Sequence, residues 1–263
     1  MHAHAFDQYY YQNSRIHDLD PRVKVIVVLT FILSNALLPD GSWLAFAMAW
    51  LLLLIANDLS NLGLGFSFKR SFVALPFALI AITAIFSPVG EPLAEWDLGF
   101  IILVPTDFGL IRFFSILVRS WLSIQMAILL VATTQFPDMI HAFEHLRAPR
   151  VLTTIVAFLY RYMFVLTDEV FRMLRAREAR SAGLPGKKRG RSVLWRAKVT
   201  GSMAGQLFLR SYERSERIYN AMVSRGYAGH IRTLKPHAIN RRDWLALGVS
   251  VIILFIIQVA GWL

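Results

Sequence analysis

The sequence predicts an all-α, polytopic membrane protein with about five transmembrane helices and long amphipathic helices on the cytoplasmic side. Three observations predict it. Apolar residues fill 56% of the 263 positions, and the mean hydropathy of +0.50 is too high for an ordinary soluble domain. These residues gather into runs separated by turn signals, a pattern too interrupted for a single-pass anchor. The region 135–243 holds 21 of the 28 Lys and Arg against 8 of the 17 Asp and Glu, a net +13, as the positive-inside rule expects of cytoplasmic segments. Cysteine is absent, which removes disulfides, thiolate metal sites and thiol nucleophiles together.

Three regions follow: a membrane-embedded bundle of four spans over 1–134, a cytoplasmic or interfacial region over 135–243, and a final transmembrane helix over 244–263. The polar, aromatic stretch from Met1 to Pro21 is no cleavable signal peptide. Its Tyr9-Tyr10-Tyr11 segment reads as an interfacial arm lying flat on the membrane. Asp20 and Pro21 predict a helix start, as N-cap and first helical residue, and Arg22 and Lys24 hold that end in the cytoplasm. Val25 to Leu38 and Trp43 to Ala56 form a helical hairpin around the turn Pro39-Asp40-Gly41-Ser42. Each run falls short of the roughly 20 residues a span needs, so flanking residues complete it.

Asn57 to Phe68 reads as a polar cytoplasmic loop ending at Lys69-Arg70. Ser71 to Phe86 reads as a third span kinked at Pro76. The loop 87–108 carries Glu91, Glu95, Asp97 and Asp107 with no Lys or Arg, and faces outward. Gly109 to Thr134 returns as a fourth span with Arg112 and Arg119. An Arg near mid-bilayer costs about 2.5–3.5 kcal/mol, so Arg119 is expected to face protein or water. Trp244 to Leu263 closes the chain as a span with Trp244 and Trp262 at its two interfaces. Five spans put the N-terminus inside and the C-terminus outside.

In the basic region, Tyr160, Met163, Phe164, Thr167, Phe171 and Leu174 recur at helical spacing as one stripe. A second stripe runs through Leu194, Ala197, Gly201, Ala204, Phe208, Ser211, Ser215, Tyr219 and Met222. Gly183 and Pro185 stop the first helix, and Gly226 and Gly229 stop the second. Gly201 and Gly205 offer a small-xxx-small surface for close helix crossing, with mutual packing of the two basic helices as its expected use. Each helix ends in a small-Arg-small triad, Ala179-Arg180-Ser181 and Ser224-Arg225-Gly226. Small neighbours keep such an end slim enough to enter a groove, where a guanidinium can hold a carboxylate in two charged hydrogen bonds. The alternative is that these cations face anionic lipid, worth about 1 kcal/mol each.

With Leu19-Asp20-Pro21-Arg22-Val23-Lys24 upstream, the paired triads resemble the transmembrane T component of energy-coupling factor (ECF) transporters. Tyr160-Arg161-Tyr162, Leu209 to Ser215 and Ala221 to Tyr227 are similar to the cobalt-transport CbiQ branch. The resemblance covers most of the chain, with Ser224 standing where Ala is the more familiar residue. It implies a non-catalytic coupling subunit of an ABC-type uptake transporter in the cell inner membrane. The long helices would then be coupling helices whose Arg180 and Arg225 dock into two ATP-binding cassette subunits. A separate substrate-binding S component and a small accessory membrane subunit are the implied membrane partners. No cofactor is expected on this chain: ATP sits on the ATP-binding subunits and the transported cobalt ion on a partner. A coupling subunit for nickel or a vitamin is the nearest alternative.

Other motifs compete less well. His141-Ala142-Phe143-Glu144-His145 fits the H-x-x-E-H spacing of an intramembrane zinc metalloenzyme using His141, Glu144 and His145. It lacks a third ligand in sequence, and no metal site is expected. His2 and His4 form only an untethered pair. Gly186-Lys187-Lys188 lacks the remaining residues of a phosphate loop. Nucleic acid is not an expected partner, because the basic residues share helices with apolar stripes and lack interleaved stacking aromatics.

Overall fold

A computed structural model describes residues 9–74, 76, 81–86, 96–97, 102–103, 106–180, 193–229 and 239–263. Among them the chain is helical apart from one two-residue antiparallel ladder, Trp96–Asp97 with Ile102–Leu103. The expected all-α polytopic class is what these residues form. Contacts divide the chain into two units, Gln8–Leu146 with Pro236–Leu263, and a second that includes Arg147–Lys235.

In the first unit, α1 (Pro21–Leu37) starts where the sequence says it should: the Asp20 side chain accepts from the Arg22 N–H at 2.9 Å. It stops because Leu38 precedes Pro39 and is extended, with φ −64° and ψ 141°. A tight turn leads to α2 (Trp43–Leu59), giving the expected hairpin. The turn is clamped by the later helix α4 (Asp107–Thr133). The Gly41 N–H donates to Ser115 Oγ at 3.0 Å, and Arg119 Nη2 donates to Leu38 O at 2.7 Å and to Asp40 Oδ1 at 3.1 Å. Arg112 also lies 3.9 Å from Asp40. Arg119 thus faces protein, as its cost in lipid requires.

The segment after α2 departs from the expected polar loop. α2 runs on to Leu59, and α3 (Leu64–Ser71) is helical and includes Lys69 and Arg70. Its buried face explains this: Ser67 Oγ donates to Asn57 Oδ1 at 2.6 Å, and Trp121 Nε1 donates to Ser71 Oγ at 2.7 Å. The third span is described only in part. Among the described residues of 71–86, tight 3₁₀ turns at Phe72–Ala74 and Ile82–Phe86 flank the helical positions Pro76 and Ala81. Pro76, which cannot donate to a preceding turn, lies between them; residues 75 and 77–80, and Glu91 and Glu95 of the outer loop, lie outside the described residues.

α4 is capped by Thr106, whose Oγ1 accepts from the Gly109 N–H at 3.2 Å. α5 (Phe136–His145) packs along α1 and belongs to this unit, although the sequence groups residues 135–146 with the basic region. α8 (Arg241–Trp262) completes the bundle, packed against α1 and α2. The core between these helices holds Phe31, Leu53, Leu122, Met126, Leu254 and Ile257.

The N-terminal arm is tied to the bundle where the sequence suggests a membrane-surface segment. Its Tyr10 N–H donates to Ala132 O at 3.0 Å, and Tyr10 packs on Phe66. His17 Nε2 donates to Tyr10 O, and Nδ1 lies 2.7 Å from Ser14 Oγ. Burial holds that imidazole below its ordinary pKa.

In the second unit, α6 (Arg150–Arg180) and α7 (Val193–Val223) are each 31 residues long. Among the described residues, α4, α6 and α8 are long and apolar enough to cross a membrane. For α6 this qualifies the cytoplasmic or interfacial reading of 135–243, because its apolar first half precedes the basic second half.

A side chain is excluded at one backbone crossing. A Cβ on Gly109 would lie 2.3 Å from Ile85 O. Gly109→Ala should therefore destabilise the bundle by about 1–3 kcal/mol, the usual cost of overpacking, read as a lowered thermal midpoint of the detergent-solubilised chain.

Candidate functional site

α6 and α7 cross with an ionic contact where they meet. Glu169 Oε1 accepts from Arg210 Nη1 at 2.6 Å, and Glu169 Oε2 lies 2.7 Å from Arg172 Nη2. The helices run in opposed directions from this point. The first half of α6 and the second half of α7 border an open apolar groove of about 720 Å³, lined by Ile155, Phe158, Tyr162, Phe208, Ile218 and Met222. The second half of α6 and the first half of α7 border an open polar cleft of about 600 Å³, where Glu169 is the one acid among Arg172, Arg177, Arg180 and Arg210.

These linings show which face each helix turns to the other. The face α6 turns to the groove runs through Thr154, Ile155, Phe158, Tyr162, Val165 and Leu166, a different face from the half-buried stripe through Tyr160, Met163, Phe164 and Thr167. On α7 the predicted positions Phe208, Ser211, Ser215, Tyr219 and Met222 do line the groove. The predicted first half does not face α6; Trp195, Val199, Ser202, Met203 and Gln206 do. Gly201 and Gly205 are therefore not where the two basic helices pack. Both are exposed, and a Cβ on either would meet nothing within 4 Å.

Arg180 is the last residue of α6 and Arg225 lies just past the end of α7, where the backbone dipole favours cations. Ala179 and Arg180 are the exposed last residues of α6; Ser181, the Gly183 and Pro185 stop and the Gly186-Lys187-Lys188 connector lie outside the described residues. The second triad is fully described. Tyr227 N donates to Met222 O at 3.0 Å and Gly226 N to Val223 O at 2.9 Å, with Gly226 at φ +81°. This paired closure, a Schellman motif, needs a left-handed residue at Gly226 and leaves Arg225 exposed as the residue before it. Two sequence motifs meet there: Arg161 and Tyr162 share a groove with Ala221, Arg225, Gly226 and Tyr227. Arg180 and Arg225 thus lie beyond the crossing on opposite sides.

The zinc reading fails on geometry. His145 Nε2 accepts from Arg22 Nη2 at 2.7 Å, which occupies a lone pair a metal would need. His141 Nδ1 faces Glu144 Oε2 at 3.9 Å, and no group of three or more possible ligands occurs among the described residues. His2 and His4 lie outside those residues.

Sequence reasoning missed Glu169 as the link between the two helices. It also missed Asp243, which holds α1 to α8: Oδ1 accepts from the Asp20 N–H at 3.0 Å and Oδ2 from the Asn240 N–H at 2.7 Å. The capping-box spacing of Asn240 and Asp243 was the available signal for the second residue. For Glu169 the only signal was an acid set in a basic helix.

A family model described as cobalt transport protein, CbiQ, matches residues 12–237. An uncharacterised protein of Methanocaldococcus jannaschii is 30% identical over 254 residues, covering 94% of this chain and 83% of its own. The energy-coupling factor transporter transmembrane protein EcfT of Lacticaseibacillus paracasei is 29% identical over 251 residues, 90% of each chain. That of Staphylococcus aureus is 26% identical over 265 residues, 95% of each.

The closure of α7 can be probed directly. Gly226→Ala places a side chain in a left-handed conformation costing about 1–2 kcal/mol. Amide exchange at Gly226 and Tyr227 should quicken by about tenfold, since about 1.4 kcal/mol corresponds to that factor.

Proposed function

The chain belongs to the CbiQ family, as a transmembrane T component of an energy-coupling factor transporter, and from that premise we propose how it works. It passes the work of ATP hydrolysis from two ATP-binding cassette subunits to a separate S component that carries the substrate. It is a transport component and not an enzyme.

The observation that carries this reading is the placement of Arg180 and Arg225. Each is exposed at the C-terminal end of a 31-residue helix. Ala179 and Gly226 keep the flanks slim, and the geometry suits a cation entering an acidic groove on a neighbouring protein. Ser181 and Ser224 complete the two triads that dock. The polar link between the helices at Glu169 and Arg210 lets movement at one end reach the other.

The chain itself holds no cofactor in this reading. ATP belongs to the ATP-binding subunits. The transported substrate is a cobalt ion carried by the S component, a choice supported by the family description. Nickel or a vitamin remains the alternative cargo. A small accessory membrane subunit completes the assembly with the lipid bilayer, without nucleic acid. The exposed Gly201 and Gly205 face is free to pack against a helix of a membrane partner. The protein sits in the cell inner membrane, with its N-terminus cytoplasmic and its C-terminus outside.

Charge reversal tests the docking. Losing one charged hydrogen bond costs about 1.5–3 kcal/mol, so Arg180→Glu with Arg225→Glu should reduce the ATP-binding subunits recovered with the solubilised chain by about tenfold or more. Unchanged co-purification and ATP hydrolysis would overturn the reading.

A further inference from the structure

A packed helix pair normally takes its crossing angle from ridges seated in grooves. Here the two helices diverge on both sides of the crossing, leaving an open apolar groove of about 720 Å³ on one side and an open polar cleft of about 600 Å³ on the other. Dispersion falls off steeply across such gaps. What joins the helices at the crossing is a charged node: Glu169 held by Arg210 from α7 and by Arg172 from its own helix. The Glu169 side chain is 20% exposed while both arginines are 60% exposed.

We propose that Glu169 is a positioning residue, the pivot that sets the angle between α6 and α7 and hence the direction in which Arg180 and Arg225 point. It rests on the coupling reading above and adds the element through which the two tips are linked. At 1.5 Å per residue, Arg180 lies about 17 Å beyond Glu169 and Arg225 about 22 Å beyond Arg210. A rotation of about 10° at the node therefore sweeps each tip through about 3–4 Å. A buried ion pair would weld the angle. One whose arginines reach into solvent is screened and can be remade at a new angle, which suits a joint under load. Without the carboxylate, four arginines share the cleft with no acid among the residues lining it, and their repulsion opens the angle.

The chain has no cysteine, so Ala176→Cys and Ala197→Cys, at exposed positions on facing halves of the two helices, give an unambiguous spin-label pair. The experiment measures their distance distribution in the full chain in lipid nanodiscs. Glu169→Gln should broaden and lengthen it, by about 2 Å for each 10° of opening. The reciprocal exchange, Glu169→Arg with Arg210→Glu, should restore the original distribution, which a purely steric role would not allow. A Glu169→Gln distribution that superimposes on the parent, or an exchange that fails to restore it, overturns the pivot. Failure of the coupling reading shows separately, as ATP-binding subunits that stay bound when Arg180 and Arg225 are reversed.

Discussion

One carboxylate governs an end of the bundle. A helix begins with backbone N–H groups that have no partner inside it, and α1 and α8 begin side by side around the buried side chains of Asp20 and Asp243. Asp243, only 4% exposed, accepts from the Asp20 N–H and the Asn240 N–H and so serves both starts at once. Removing it would strand the buried Asp20 donor, at about 1–3 kcal/mol, and loosen the part-buried one at Asn240. The nearby Lys24 ammonium donates to His17 O and Thr133 O, drawing the N-terminal arm and the end of α4 to the same place. The apolar core further along then packs between helices whose ends are already fixed.

The far turn of the first hairpin shows the same economy of charge. A guanidinium in a spanning helix is costly in lipid. Arg119 escapes that cost by donating to Leu38 O, at the negative end of α1, and to Asp40. Asn35 adds donors to Arg119 O and Ser123 Oγ. In the second unit the balance shifts: open grooves flank the crossing of α6 and α7, and a solvent-reaching ionic node joins them there. A bundle held by burial and a helix pair held by charge respond differently to force. The first resists deformation, and the second can yield at its contact.

Signals local in sequence were legible. The Asp20 cap, the turn at Pro39 to Ser42, the long fourth span and the glycine exit of α7 all emerge where their residues place them, because each depends on neighbours within a few positions. Partnerships across the chain were not. Asp243 meets a residue 223 positions away and Glu169 one 41 positions away, and periodicity identifies a face without saying what lies opposite. The same gap explains what spacing alone leaves open. His141 and His145 have metal spacing, but Arg22 arrives from 123 positions upstream to occupy His145. The stripe through Leu194, Ala197, Gly201 and Ala204 is regular, yet α6 lies against the adjoining face. The arginine triads were found by pattern, and the left-handed turn at Gly226 supplies the physical reason for one glycine in them.

The two junctions of the bundle carry a consequence for how such proteins diversify. The chain departs after His145, bonded to Arg22, and returns at Asn240 and Asp243, bonded at Asp20. Both stitches fall within the first turn of one helix. Everything between them is, in construction, an insert whose ends share a single anchorage. Natural selection can lengthen, recharge or replace that insert wholesale while the lipid-facing chassis keeps its fold, so new neighbours can be acquired by grafting without redesign of the whole chain.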